Sequence, residues 1–163
     1  MERTGHDLGY VKIEIRLPEG SPGGGGEWCW AEPISPFVCA LRNVPFYAFG
    51  ISYDDHLRVE MKDGVAAFVE VVKRGGHSTF RIYASKGRHH PDVNKALSLL
   101  HEKMKCDLEA ATEELVAVDV LPEADFYGVY AFLEREKTKG LWDLQEGHCG
   151  HSLRKGKTKS HKS

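Results

Sequence analysis

From Tyr10 to Leu17 apolar and charged side chains alternate, with Val11, Ile13 and Ile15 on one side and Lys12, Glu14 and Arg16 on the other. A period of two marks a half-buried strand, and Pro18 ends it. Trp28–Ile34 predicts a second strand, stopped by Pro33 and Pro36, and Phe37–Leu41 a third. Leu57–Met61 and Val65–Val72 predict two more, joined through Asp63-Gly64, a dipeptide that favours a tight hairpin. Trp28 and Trp30, two residues apart, share one strand face, where they either cap a core or form an aromatic platform; the core position is expected. Short strands separated by turns at this spacing suggest a meander or a small barrel. Four consecutive glycines, Gly23 to Gly26, are followed by no phosphate-loop lysine or serine and predict a flexible connector.

The rhythm changes after Gly76. Ser78–Ala84 predicts a strand and Lys86–Pro91 a polar loop. Val93, Ala96, Leu97, Leu100 and Met104 then form one helical stripe, with Asp92 as the expected cap. A strand is expected over Glu113–Val120, and a second helix carries Phe126, Val129, Tyr130 and Leu133 and is closed by Gly140. Leu141–Glu146 completes the order strand, helix, strand, helix, strand. The expected class is α+β: an N-terminal antiparallel β meander or small barrel (10–75) joined to a ferredoxin-like, split βαβ C-terminal half (76–146) in a single domain. A loose terminus (1–9) and a basic flexible tail (147–163) flank it.

Composition narrows the class. A chain of 163 residues, 41% of them hydrophobic, can fill one core. Its longest apolar runs fall far short of the roughly 20 residues that span a bilayer. The four cysteines, at 29, 39, 106 and 149, contain no C-x-x-C pair and are expected as reduced thiols, so a cytoplasmic location is expected. Charge is unevenly placed. Five basic residues and no acidic ones follow Gly147, so a total of −2 leaves the body before it at −7. Such a body repels nucleic acid and attracts a basic protein partner.

Two groups of residues could carry chemistry. Gly75, Gly76, His77, Ser78, Thr79 and Arg81 place two glycines beside hydroxyls and a guanidinium, the material for cradling a small anion; the alternative is a plain turn between strands. Glu32, Tyr53, Asp54 and Asp55, with His56, form an acidic group suited to a protein partner or left as a solvated turn. The histidines at 89 and 90, and His148-Cys149-Gly150-His151 with His161, could bind a transition metal adventitiously; a solubilising tail is the expected reading. No metal or cofactor is expected. Nucleophile elbow, P-loop, dinucleotide and kinase signatures are missing, which lowers the expectation of catalysis.

Three segments carry a resemblance: Trp30-Ala31-Glu32-Pro33; Asn43–Ala48 with Gly50–Asp55; and Gly76-His77-Ser78-Thr79-Phe80-Arg81. Together they resemble a bacterial family catalogued as domain of unknown function 4265, over roughly residues 10 to 146. The resemblance implies a bacterial, single-domain, cytoplasmic protein and brings no activity or catalytic residues with it. The expected function is therefore a non-catalytic binding protein, a regulator or immunity-type inhibitor presenting its acidic face to a partner. The alternative is an anion- or small-ligand-binding domain that uses the turn from Gly75 to Arg81, with an unrecognised enzyme further behind.

Overall fold

Five strands wrap into a closed barrel in the computed structural model, which describes residues 8–153. They are β1 (Val11–Arg16), β2 (Gly26–Ser35), β3 (Val38–Leu41), β4 (His56–Lys62) and β5 (Val65–Lys73). Successive strands pair antiparallel, and a short parallel contact of β1 with β5, Ile13 opposite Ala66, closes the ring. Asp63 and Gly64 both adopt positive φ, 52° and 79°, as the tight hairpin turn between β4 and β5 requires.

Ile13, Ile15, Cys29, Ala31, Leu41, Leu57 and Val59 fill the barrel. The tryptophans do not. Cys29 and Ala31 take the inward positions of β2, so Trp28 stands 50% exposed on the outer wall. Trp30 lies outside with it, under the Lys12 ammonium at 4.7 Å. The core position expected for the pair is thus corrected. The interior of a five-stranded barrel is narrow and accepts small side chains where strands approach.

The second half comprises β6 (Ser78–Tyr83), α1 (Pro91–Lys103), β7 (Cys106–Ala110), β8 (Leu115–Val120), α2 (Phe126–Thr138) and β9 (Asp143–His148). Its sheet runs β7-β8-β6-β9 with every neighbouring pair antiparallel. The class is α+β. Strand β7 was not expected: it is only five residues long, Cys106, Leu108 and Ala110 alternating with Asp107 and Glu109, and Lys105, at φ 58°, turns the chain into it straight from α1. The cap of α1 is His90 and not Asp92. Its Nδ1 accepts the Asp92 amide at 3.2 Å, with Pro91 opening the helix. Asp125 caps α2 by accepting the Gly128 amide, and Gly140, at φ 87°, follows its end.

Phe80, Ile82, Val116, Val118 and Val120 pack on Val93, Leu100, Val129 and Leu133 of the two helices. Alternation turns Thr79, Arg81, Ala117 and Asp119 to the opposite face, and Thr79 and Arg81 bond to barrel residues there. The sheet is therefore covered by helices on one side and by the barrel on the other. A tail beginning at Gly147 is also corrected, because Gly147 and His148 belong to β9 and His151 is bonded to the body. The basic run from Arg154 onward, His161 and the terminus from 1 to 7 lie outside the described residues. Among the described residues no helix is long and apolar enough to cross a membrane.

Candidate functional site

The two groups nominated from sequence meet in one network where barrel and sheet touch. Asp55, 1% exposed, accepts the Gly75 amide at 2.9 Å on Oδ1. Its Oδ2 accepts the Ser52 amide at 2.9 Å and Arg74 Nη1 at 3.0 Å. Gly75 is required at this contact: a Cβ there would lie 2.6 Å from the Asp54 carbonyl oxygen. Beside it, the Ser52 and Thr79 hydroxyls bond at 2.7 Å, both wholly buried.

His77 continues the network. Its Nδ1 lies 2.7 Å from Asp119 Oδ1, and its ring sits 5.4 Å from that of Tyr53. Burial alone would push the imidazole pKa down, but the hydrogen bond and charge of Asp119 outweigh it and hold His77 above its ordinary value. Burial pushes the Asp119 carboxyl up, with His77 pulling partly back. On the far side of Tyr53, Arg42 donates to Glu32 at 2.8 Å and 3.0 Å and to Asp54 at 2.6 Å. Ser78 accepts the Gly150 amide at 2.9 Å and lies 2.6 Å from His151 Nδ1. His151 Nε2 is 2.9 Å from the Leu121 carbonyl, which can only accept; in the neutral ring Nδ1 therefore accepts from the Ser78 hydroxyl.

These bonds correct both expected sites. The anion cradle is closed, since the Gly75 amide and the Ser78 and Thr79 hydroxyls already have partners inside the chain, and Gly76 only turns the backbone at φ 91°. The acidic group is corrected at Asp55, which is buried; Glu32 and Asp54 stay partly exposed and pair with Arg42 beside Tyr53. Adjacent carboxylates looked solvated in the sequence because their partners are 10 to 20 residues away or more. Within this network the Ser52–Thr79 bond and the Tyr53–His77 ring contact join the two halves, while the bonds of Asp55, Arg42 and Asp119 each lie within one half.

Arg81 stands apart from this network and is organised differently. It is 2% exposed on the barrel side of β6. Nε donates to Gln145 Oε1 at 2.9 Å, Nη1 donates to the Ala48 carbonyl at 2.8 Å, and the guanidinium lies 4.9 Å from the Phe49 ring. Nη2 is buried with no hydrogen-bond partner. Burial lowers the pKa of this cation, with the charge of Glu27 acting against it. Glu27 itself accepts the amides of Phe46, Tyr47 and Ala48 at 2.6, 3.1 and 2.9 Å, so the segment from 45 to 48 is gripped by Glu27 on its amides and by Arg81 on its carbonyls. Gly147 makes room for this, because a Cβ there would run into Arg81 Nη1.

Arg81 lines a cavity of about 550 Å³ between barrel loop and sheet edge, together with Phe46, Tyr47, Tyr83, Leu115 and Gln145. Its size falls in the range of small-molecule sites, and its aromatic walls with a few polar groups are of the usual kind. Sequence reasoning picked Arg81 but missed Glu27, Phe46, Tyr47 and Gln145. Only the pairing of Arg81 with Gln145 across β6 and β9 reveals the last of these, and that register is set by the fold. Among the described residues no group of three or more His, Cys, Asp or Glu is placed to hold a metal ion.

Barrel, helix-covered sheet and the polar seam between them define a two-part α+β domain with one ligand-sized cleft along the seam. The chain belongs to the family described as domain of unknown function (DUF4265), which matches residues 27–144. A solved structure described as a hypothetical protein from Neisseria gonorrhoeae has the same fold, with a TM-score of 0.75 at 16% identity over 88% of this chain and 97% of that one. No curated protein matches.

Proposed function

We propose that the protein is a non-catalytic binding domain that takes a small anionic ligand in the cleft between barrel and sheet, with Arg81 as its charge partner. The observation that carries this reading is the buried Arg81 guanidinium, which has one nitrogen unpartnered and no carboxylate bonded to it, at a cavity with aromatic walls. Buried polar groups are almost always satisfied, and a buried cation without a paired anion is costly. A ligand carboxylate or similar anion would supply both the charge and the acceptor. The regulator or immunity-type inhibitor expected from the acidic body gives way to this reading because its acids are engaged within the chain.

Two finer expectations accompany the proposal. A ferredoxin-like reading of the second half is supported by the order β-α-β-β-α-β and the sheet order β7-β8-β6-β9. A reducing, cytoplasmic setting is supported by four free cysteines, three of them buried.

The test is thermal unfolding in the presence of small carboxylates, sulfonates and phosphates, for the wild-type chain and for Arg81→Met. At least one carboxylate is expected to raise the wild-type midpoint in a concentration-dependent way, by mass action on the folded state, and to leave Arg81→Met unmoved. Absence of any shift across the panel, or an equal shift in the variant, overturns the proposal.

A further inference from the structure

The cleft carries a second charge, of opposite sign, on the same face as Arg81. Asp143 lines it two residues before Gln145 on β9 and stands exposed. In the strand register Gln145 lies opposite Arg81 and Asp143 lies opposite Tyr83. Side chains two residues apart on a strand share a face and are separated by about 7 Å. A buried cation therefore stands at one position of the wall and a solvent-facing carboxylate at the diagonal neighbour.

Resting on the proposed Arg81 site, we infer that its ligand is zwitterionic, an amino acid or short peptide with an aromatic or aliphatic side chain. The ligand carboxylate bonds Arg81, its ammonium group bonds Asp143, and its apolar body lies against Phe46, Tyr47 and Leu115. The two residues occupy diagonal positions of the β6–β9 pair and line one cavity, so the two ends of one small zwitterion can address both, each through a charge-assisted hydrogen bond.

Asp143 decides against the competing anions. A phosphate monoester carries close to two negative charges near neutral pH, and a dianion placed on Arg81 meets a carboxylate one strand step away with nothing to offset it. A simple monocarboxylate satisfies Arg81 but leaves Asp143 unused. Only a ligand with both signs uses both groups. The exposure of Asp143 fits this role, since a free carboxylate at the mouth loses little hydration until an ammonium group arrives.

The experiment titrates the full chain calorimetrically with matched pairs: phenylalanine and 3-phenylpropionate, leucine and 4-methylpentanoate, tryptophan and indole-3-propionate, with phenyl phosphate as the dianion. At least one amino acid is expected to bind about tenfold more tightly than its desamino partner, the worth of one charge-assisted bond, with phenyl phosphate weaker than both. Asp143→Asn is expected to abolish the difference within each pair, weakening the amino acid and binding the desamino compound at least as tightly as the wild-type chain does. If the pairs bind equally and Asp143→Asn changes neither, the zwitterion inference is overturned and the anion site at Arg81 stands. If no compound binds the wild-type chain, both fall.

Discussion

The seam between barrel and sheet buries charge at two places and treats it in opposite ways. Around Asp55 a carboxylate is enclosed by two backbone amides and a guanidinium, and nearby Asp119 is enclosed with His77. Around Arg81 a guanidinium is held by three neutral oxygens, those of Gln145, Ala48 and, at 3.4 Å, Pro45, and by an aromatic ring, and one of its nitrogens has nothing. Identical burial thus has different meanings. Saturated bonding marks the first region as a fastening, whereas the unmet donor of the second marks a place where the fold leaves something to be supplied. The sharpest way to break this contrast is to substitute each centre in turn.

The largest effect is expected at Asp55. Asp55→Ala strips the Gly75 and Ser52 amides of their acceptor and leaves the half-exposed Arg74 without its carboxylate. Removing one member of a buried, hydrogen-bonded charge group costs about 3–5 kcal/mol, and urea unfolding should show a midpoint lowered to match. A loss below about 1 kcal/mol would mean that the seam is not tied here at all. Asp55→Asn keeps one acceptor oxygen and should fall between the two.

The His77–Asp119 pair makes an intermediate prediction, in pH. Folded His77 holds its proton more tightly than in the unfolded chain, so its contribution is complete below the unfolded value near 6.5 and is lost as pH rises through the raised folded value. Asp119, also raised, acts in the same direction at lower pH. His148 runs the other way, lowered by burial and by Arg74; its contribution is complete above about 6.5 and does not enter the upper window. Asp119→Asn should therefore flatten the fall in stability as pH rises above about 6.5, read from urea midpoints at several pH values. A variant that declines as steeply as the wild-type chain would detach the pair from folding.

How much of this was readable beforehand follows from how local each signal is. The alternation of Val11–Arg16, the stripe from Val93 to Leu100 and the Asp63-Gly64 turn are set by near neighbours, and each forms as expected. Strand β7 escaped although Cys106, Leu108 and Ala110 alternate with Asp107 and Glu109, because it is five residues long and follows α1 with only Met104 and Lys105 between; burial raises the pKa of Glu109, which bonds Asn43 and the Val44 backbone across the seam. Trp28 faces outward because a five-stranded ring closes through a parallel pair that no local pattern announces. Asp55 and Arg81 were noticed as polar residues, yet polarity in a sequence suggests exposure. Asp55 is enclosed by Ser52, Arg74 and Gly75 of the barrel half itself, whereas Arg81 meets the Ala48 carbonyl and the Phe49 ring only when the two halves come together.

The smallest effect should come from Arg81, and its smallness is the point of the contrast. In Arg81→Met the Ala48 and Gln145 oxygens lose a donor, which on its own would cost about 1–3 kcal/mol. Against this, the buried cation and its unmet Nη2 disappear, and replacing buried ionic groups with apolar side chains of similar volume is often neutral or stabilising. Glu27 continues to hold the amides of the segment from 46 to 48, so the loop keeps its place. The two terms oppose each other and the net change should stay within about 1 kcal/mol, measured by the same urea unfolding in the absence of ligand. A loss comparable to that of Asp55→Ala would make Arg81 a second fastening and remove the reason for reading its open nitrogen as a binding group.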